Sequence, residues 1–359
     1  MIQRDRLVQT FLELVQIDSP SGQEAAIARR LVALLGELGA DAGLDAHGNV
    51  LASLPGAGEP LLLSAHMDTV QPGEGIKPIV EGDTIRTDGS TVLGGDPKAG
   101  VSAILEALRS LRGDGTPHRA VEVAFSRGEE IGLVGARNLD YERLRARQAL
   151  VFDGEGSVAN ITSEAPSHLT LDLTITGRAA HAGVEPEKGI SAIVIAAEFV
   201  RAYPQGRLDE ETTGNIGLLQ AGSARNAVPE EAVLQAELRS RDPAKLAALR
   251  ERVEAAAADL QRRFPEARID LQLGDAYGGY KLNAADPLVT LAGAALRRIG
   301  LEPRLLASGG GTDANVFTTR GISSVVLGLG GEHFHTKAET VSIPHMLDAA
   351  RFCAAILSA

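Results

Sequence analysis

The chain has 359 residues, a length that suggests two domains more readily than one. Apolar residues make up 44% and charged residues 23%, which excludes a disordered or fibrous protein. The net charge of −12 argues against electrostatic binding to nucleic acid or to an anionic membrane. Because the single cysteine cannot form an intrachain disulfide, and neither a signal-peptide pattern nor an apolar run of ~20 residues occurs, we predict a soluble, cytoplasmic protein.

The first part of the chain alternates between helix and strand patterns. Apolar spacing predicts a first helix over residues 7–15, and Ser21 to Glu24 form a capping-box pattern before a second helix that ends at Gly39. Short apolar runs that end in polar residues predict buried strands. The next elements are strand 61–65, helix 99–111, strand 121–125 and strand 149–152. Such an order is typical of an α/β domain.

The pattern changes near Ser167, where apolar and polar residues alternate as in a strand with one solvent-exposed face. The elements that follow are helix 186–202, strands 213–221 and 231–240, helix 243–263 and strand 268–274. This β-α-β-β-α-β order is the ferredoxin-like arrangement. The α/β pattern resumes in helix 286–299, strand 322–328 and a helix from Pro344. We therefore predict a discontinuous domain, residues 1–165 and 282–359, interrupted by a domain of residues 166–281.

Polar side chains that could bind a cation lie just beyond several predicted strands. They belong to the segments 64–68, 94–98, 128–130, 152–154 and 332–335. Ligands of open α/β sheets bind outside the carboxyl ends of strands, so these segments are expected to converge. Two imidazoles with three or four carboxylates suit zinc better than calcium, and they exceed the three ligands of one catalytic zinc. The count fits a two-metal site with one shared carboxylate.

Each segment taken alone has a simpler explanation. His66 and Asp68 could form a solvated turn, Glu129 and Glu130 could be exposed charge, and Asp153 precedes a glycine as in an ordinary turn. The metal-site interpretation depends on their coincidence at equivalent strand ends of one predicted domain.

The motifs together resemble those of a known family. They are SAHMDTV (64–70), DPKAG (96–100), GEEIG (128–132), FDG (152–154), HAG (181–183) and HTKAE (335–339). In order and spacing the chain resembles, over essentially its whole length, the dinuclear zinc peptidases that include peptidase T, glutamate carboxypeptidase and aminoacylase, and most closely the peptidase T-like tripeptidases. The resemblance implies a phosphorylase/hydrolase-like, three-layer catalytic domain with a mixed sheet, plus a ferredoxin-like α+β lid and dimerisation domain.

The resemblance also implies a metal-ligand set. Asp96 would bridge two ions, His66 and Asp153 would complete one ligand set, and Glu130 and His335 would complete the other. Two Zn²⁺ ions per subunit are expected, and Co²⁺ or Mn²⁺ would accept the same ligands.

Three neighbours of these ligands acquire roles from the resemblance. Glu129 would be the general base, and Asp68 would orient His66 through the other ring nitrogen. Pro97 stands where relatives commonly have an acidic residue. Because relatives often have a cis peptide after the bridging Asp, and Pro lowers its cost, we predict that the Asp96–Pro97 bond is cis.

Residues of the inserted domain are expected to bind substrate. By resemblance, His181 would polarise the substrate carbonyl, and Asn226 and Arg239 would bind its carboxylate or carbonyl groups. Outside this domain, Gly310 lies in the glycine run 309–311, which could bring backbone N–H groups close to the substrate. A strand-edge salt bridge is the alternative for Arg239. His333 competes with His335, although the register of Lys337 and Glu339 favours His335. The remaining predictions are a buried Cys353 and four solvated histidines: His47, His118, His168 and His345.

These expectations lead to a dimeric, cytoplasmic two-zinc hydrolase that removes the N-terminal residue of short peptides, most closely tripeptides. The same chemistry would also serve a carboxypeptidase or an N-acyl-amino-acid deacylase. A non-catalytic binding module is the competing class, but the chain retains every metal ligand and Glu129.

Overall fold

The computed structural model describes residues 1–358. The helices of this part are α1 (Arg4–Val15), α2 (Ala25–Glu37), α3 (Gly95–Asp114), α4 (Val134–Arg137), α5 (Ala192–Ala202), α6 (Pro243–Arg263), α7 (Pro287–Arg298), α8 (Asp313–Thr319) and α9 (Ile343–Leu357). The strands are β1 (Asp41–Leu44), β2 (Val50–Leu54), β3 (Ala57–His66), β4 (Pro78–Glu81), β5 (Thr84–Thr87), β6 (Arg119–Ser126), β7 (Gln148–Gly154), β8 (Asn160–Ala165), β9 (Ser167–Thr176), β10 (Gly206–Arg207), β11 (Thr212–Ala221), β12 (Glu231–Ser240), β13 (Arg268–Tyr277), β14 (Tyr280–Lys281), β15 (Arg304–Ala307), β16 (Ser323–Gly328), β17 (Gly331–Glu332) and β18 (Thr340–Ser342).

The chain forms two compact units. The first comprises residues 1–164, 281–308 and the described chain from residue 312 onward, and the second comprises residues 165–280 and 309–311. Within residues 1–358, no helix combines the length and the apolar character that crossing a bilayer requires.

A nine-stranded mixed sheet is the centre of the first unit. Its order is β1-β2-β6-β3-β7-β16-β8-β14, and β15 pairs with β8. The strands β6, β3, β7 and β16 run parallel to their neighbours in this group and are buried along most of their length. Their continuous apolar runs are what a parallel sheet between helices requires. The predicted α/β class with a mixed sheet is thus confirmed.

A second, four-stranded sheet of the first unit was not predicted from the sequence. Its order is β17-β18-β5-β4, and all of its pairs are antiparallel. The strands are two to four residues long, too short for a clear alternation pattern. This sheet brings residues 340–342 of β18 beside residues 84–86 of β5.

The second unit contains a five-stranded antiparallel sheet in the order β10-β11-β12-β9-β13. Apolar residues of β9 and β12 alternate into a core that they share with α5 and α6. The predicted single helix 186–202 is wrong in its first turn. A 3₁₀ turn ends at Lys188, Ile190 then pairs with Arg178, and α5 begins only after Ser191, whose side chain accepts a hydrogen bond from Val194 N–H.

Candidate metal centre

Three candidate ligands leave adjacent parallel strands at the same edge of the large sheet. His66 is the last residue of β3, Asp153 is next to last in β7, and Glu130 follows β6 in the loop after Ser126. Because β3 pairs in parallel with both β6 and β7, the carboxyl ends of the three strands coincide. The topology therefore explains why side chains distant in sequence meet here.

The carboxylate of Asp96 lies between two imidazoles. His66 Nε2 is 3.3 Å from Asp96 Oδ1, and His335 Nε2 is 3.2 Å from Asp96 Oδ2. Asp153 Oδ1 lies 3.5 Å from His66 Nε2, and Glu130 Oε1 lies 2.8 Å from His335 Nε2. Ligand atoms 2.0–2.2 Å from one tetrahedral ion would be about 3.3–3.6 Å apart. The 3.3 and 3.5 Å separations around His66 match that spacing, and the nitrogen–oxygen donor set suits zinc-like ions. The 2.8 Å separation of Glu130 and His335 is that of a direct hydrogen bond, so these two side chains would have to move apart to share an ion.

These side chains fall into two groups that share Asp96. One group is His66, Asp96 and Asp153, and the other is Asp96, Glu130 and His335. Within each group the donor atoms lie within 4.8 Å of one another. The arrangement can hold two divalent ions on one shared carboxylate.

His335 reaches the cluster from an unusual backbone conformation. Its φ of 61° lies in the left-handed region, which non-glycine residues adopt mainly where the surrounding structure requires it. The side chain is half exposed, so one side of the cluster opens toward solvent. His333 has a similar φ and is exposed, and no metal-ligand group of residues 1–358 includes it.

Asp68 receives hydrogen bonds from both sides of the site. Its Oδ1 accepts from Glu129 N–H at 3.0 Å and lies 3.2 Å from His66 Nδ1. Its Oδ2 accepts from the Ser21 hydroxyl at 2.7 Å and from Glu130 N–H at 3.2 Å. Asp68 therefore fixes the backbone that carries Glu129 and Glu130, a role that the sequence did not reveal.

The predicted capping box at Ser21 is not formed. The Ser21 hydroxyl donates to Asp68 instead, and α2 begins without a side-chain cap. Glu24 accepts from Gly22 N–H at 2.7 Å and from Gly128 N–H at 3.0 Å. The motif read as a helix start thus supports the loop that leads into Glu129.

Burial and charge shift the protonation of the candidate ligands. Burial alone would lower the pKa of His66, but the hydrogen bonds to Asp153, Asp68 and Asp96 raise it well above its usual value. Hydrogen bonds to Asp96 and Glu130 raise the pKa of His335 to about 10. Burial raises the pKa of Asp153 to about 8 despite its bond to His66. Without cations the cluster thus retains protons at neutral pH.

Glu129 forms a third group of possible metal ligands with His66 and Glu130, and it is partly accessible. Burial, followed by the charge of Asp153, raises its pKa well above the usual value. Nearby dications would oppose both effects, because they favour the carboxylate form. The carboxylate of Glu129 therefore lies next to the proposed ligands, but it is not part of the ligand group formed by Asp96, Glu130 and His335.

Three further buried charges adjoin the site, and the sequence alone indicates no role in it for any of them. Glu339 accepts from three backbone N–H groups of residues 93–96. The ammonium of Lys98 donates to the Thr69 hydroxyl, and burial lowers its pKa to about 8. Asp313 accepts from the Ser126 hydroxyl, and burial raises its pKa to about 6. Glu339 and Lys98 belong to the motifs HTKAE and DPKAG, and Asp313 lies in the segment GGTDAN (310–315).

The four predicted substrate-binding residues belong to the second unit. His181 and Asn226 lie on adjacent segments, since Ala182 N–H donates to Asn226 O and His181 bridges to Ala227. Both side chains are exposed. Gly310 lies in the segment 309–311, where a Cβ on Gly311 would come within 2.5 Å of the Tyr277 ring. That segment therefore approaches its neighbours more closely than a larger residue would allow.

Arg239 forms the salt bridge that was the alternative to substrate binding. Its Nη2 lies 2.9 Å from Glu237 Oε2, two residues earlier on β12. His168 Nε2 lies 3.1 Å from the same oxygen, and its ring packs edge-on against Tyr277. The prediction of a solvated His168 is wrong, because the strand directs it into this cluster, where 13% of its side chain is exposed. Cys353 is buried, as expected.

The predicted cis bond between Asp96 and Pro97 is confirmed. A second cis bond, Gln71–Pro72, was not predicted.

The chain is similar to known proteins along almost its whole length. The chain is 40% identical to the Bacillus subtilis protein YqjE over 99% of both chains. Its structure is similar to that of aminopeptidase PepT from Bacillus cereus, with a TM-score of 0.91, 38% identity and coverage of 99% of this chain and 98% of the other. It is also similar to a tripeptidase from Staphylococcus aureus, with a TM-score of 0.94, 35% identity and coverage of 100% and 98%. The profile of peptidase family M20/M25/M40 matches residues 62–359. The chain therefore belongs to the peptidase family M20/M25/M40 and is a peptidase.

Proposed function

We propose that the chain is a two-metal aminopeptidase that removes the N-terminal residue of tripeptides and other short peptides. The observation that supports this most is the position of Asp96, whose two carboxylate oxygens face different imidazoles. The names of its similar structures, an aminopeptidase and a tripeptidase, support the substrate class.

The proposed ligands are those of the two groups that share Asp96, and zinc is the proposed ion. When bound, two such ions would supply Lewis-acid polarisation of the substrate carbonyl and increase the acidity of water. The buried residues His66 and Asp153 would hold one ion, and Glu130 with the half-exposed His335 would hold the other.

Glu129 is the proposed general base. Its carboxylate would take a proton from the attacking water and pass it to the nitrogen of the leaving amine. Asp68 keeps this group in place, because it accepts from the backbone N–H of Glu129. The Glu129 carbonyl in turn accepts from the N–H groups of Gly132 and Leu133, so the loop is held from both directions.

We further propose that the second unit is a lid that supplies substrate-binding groups. The exposed His181 would donate to the substrate carbonyl, and Asn226 would bind a carbonyl or carboxylate group beside it. Gly310 would present backbone N–H groups. Arg239 forms its salt bridge with Glu237 through Nη2. Its other guanidinium donors would bind the substrate carboxylate.

We also propose that the chain forms homodimers through the second unit. The edge strand β11 pairs with β10 only at Thr213 and Gly214, which leaves its second half open on one side. Leu218 and Leu219 of this half are exposed. An open edge with exposed apolar side chains is a surface that a second copy can cover.

The buried cysteine and the acidic net charge are in keeping with the proposed cytoplasmic location.

A substrate panel tests the proposed activity. We expect the zinc-loaded protein to release free alanine from Ala-Ala-Ala and to release the N-terminal residue first from a tripeptide of three different residues. Both activities should be lost when a chelator removes the metal. N-acetyl-alanine should be a poor substrate because its amine is blocked. A γ-glutamyl peptide should also be poor, because its free amine is not on the carbon next to the scissile carbonyl. Preferential hydrolysis of the N-acetyl compound would indicate a deacylase, release of the C-terminal residue would indicate a carboxypeptidase, and metal binding without hydrolysis would indicate a binding module.

A further inference from the structure

A buried carboxylate outside the proposed ligand set joins two segments that carry ligands. Glu339 is 2% exposed, and its Oε2 accepts from Leu93 N–H at 2.7 Å and from Gly94 N–H at 2.9 Å. Its Oε1 accepts from Asp96 N–H at 2.9 Å. Both oxygens are therefore occupied by the backbone that leads into Asp96.

The other end of this connection is the turn that carries His335. Glu339 N–H donates to Thr336 O at 3.1 Å, and the Thr336 hydroxyl donates to His333 O at 2.8 Å. The turn is thus hydrogen-bonded within itself, so the position of Glu339 restricts the position of His335. Immediately afterwards, β18 pairs with β5, which fixes the far side of the same segment.

The packing around Glu339 leaves little freedom for the Asp96 segment. A Cβ on Gly95 would come within 2.4 Å of Val341 Cγ2 and 3.1 Å of Glu339 Oε1, so only glycine allows this approach. Gly94 has a φ of 69°, in the left-handed region that glycine adopts readily. The buried ammonium of Lys98 lies close enough to Glu339 to offset part of its charge.

We propose that Glu339 is a positioning residue that sets the spacing between Asp96 and His335, and thereby the affinity of the ion bound by Asp96, Glu130 and His335. This inference rests on the proposed two-metal function. Asp96 and His335 are the two members of that group whose segments Glu339 joins directly, whereas His66 and Asp153 extend from the large sheet. The ion of the His66 group should therefore depend less on Glu339.

The isosteric variant Glu339→Gln tests this role. Its NH₂ group must face either Asp96 N–H or the N–H groups of Leu93 and Gly94, so donors would oppose donors. We expect stepwise zinc titration by calorimetry to show one site losing about 10- to 100-fold in affinity, as for other residues that support metal ligands. The other site should change by less than about threefold. His335→Ala, which removes a proposed ligand of the same group, should affect the same site.

Glu122→Gln is a matched control. Glu122 is also a 2% exposed carboxylate, and it accepts from the backbone N–H groups of Arg145 and Ala146 at 3.0–3.1 Å. These residues precede β7, whereas Asp153 is at its opposite end. We expect this variant to lower thermal stability but to bind both zinc ions with wild-type affinity.

Unchanged zinc affinities at both sites in a folded Glu339→Gln protein would overturn the proposal, as would an equal loss in the Glu122→Gln control. If Glu339→Gln does not fold, hydrogen exchange on the wild-type protein decides. Slow exchange of the Leu93, Gly94 and Asp96 amides without metal supports the proposal, and exchange at the rate of an open loop overturns it. Failure of the wild-type chain to bind two ions would instead refute the proposed function.

Discussion

Asp68→Asn would test how far the proposed metal centre depends on a residue that binds no metal. Asp68 accepts hydrogen bonds from Ser21, Glu129 and Glu130 and lies 3.2 Å from His66 Nδ1. Each of its two carboxylate oxygens therefore has two polar neighbours. Asparagine has the same shape but one acceptor oxygen fewer. The substitution therefore changes hydrogen bonding without opening a cavity.

The two orientations of the new amide have different costs. An NH₂ group at the Oδ2 position can donate to Ser21 after its hydroxyl rotates, but Glu130 N–H then loses its acceptor, which costs about 1–3 kcal/mol. An NH₂ group at the Oδ1 position would deprive Glu129 N–H of its acceptor and require His66 to carry its proton on Nε2, the nitrogen that faces Asp96. We therefore expect the first orientation, with about 1–3 kcal/mol lower stability and about 10- to 100-fold weaker zinc binding.

Zinc titration by calorimetry, thermal unfolding of the metal-free protein and peptide hydrolysis together measure these effects. Asp45→Asn is the matched control, because Asp45 also accepts four hydrogen bonds, from His47, Asn49 and Asp140, in a loop between β1 and β2. The control should lose stability but retain zinc affinity. Zinc binding within twofold of wild type in Asp68→Asn, or an equal loss in the control, would refute the reasoning.

Three other predictions concern the base, the protons of the site and the dimer. Glu129→Ala should retain both metals by elemental analysis yet lose at least about 100-fold in turnover, whereas Asp96→Ala should lose at least one metal; metal loss from Glu129→Ala would contradict its assignment. Because the metal-free protein holds the pKa of His335 at about 10 and that of Asp153 at about 8, zinc must displace protons at neutral pH. Calorimetry in buffers of different ionisation enthalpy should therefore detect proton release, and zinc affinity should rise between about pH 6 and pH 8; a flat profile would be inconsistent with these pKa values. In sedimentation velocity Leu219→Asp should convert a dimer to a monomer, while Leu306→Asp, a similarly exposed leucine of the first unit, should not; a wild-type monomer would exclude the proposed dimer.

The sequence was sufficient to predict those features that repeat along the chain. Continuous apolar runs identified β3, β6 and β7 because buried parallel strands require them, and the strand ends then indicated where His66 and Asp153 would meet. Periodicity likewise predicted the alternating strand β9. The sheet of β4, β5, β17 and β18 was missed because its strands are too short to show a period.

The sequence was not sufficient where a side chain binds backbone from a distant segment. Ser21 and Glu24 matched a capping box locally, but tertiary contacts with Asp68 and Gly128 take the place of the cap. Glu339 accepts hydrogen bonds from backbone N–H groups about 245 residues away in the sequence. The sequence alone does not show which buried carboxylate accepts them. His168 was assigned to solvent because its sequence neighbours reveal nothing of Glu237 and Tyr277.

These distant contacts share one physical logic. Asp68, Glu24 and Glu339 accept from backbone N–H groups at or beside the proposed ligands Asp96 and Glu130 and the proposed base Glu129. Backbone amides carry no net charge and cannot leave, so they stabilise a buried carboxylate whether or not a cation is present. Asp153 of the proposed ligand set is different, since burial raises its pKa to about 8 in the metal-free protein. A bound metal would therefore complete a site whose backbone is already held in place. Little of its binding free energy would be lost to the ordering of loops.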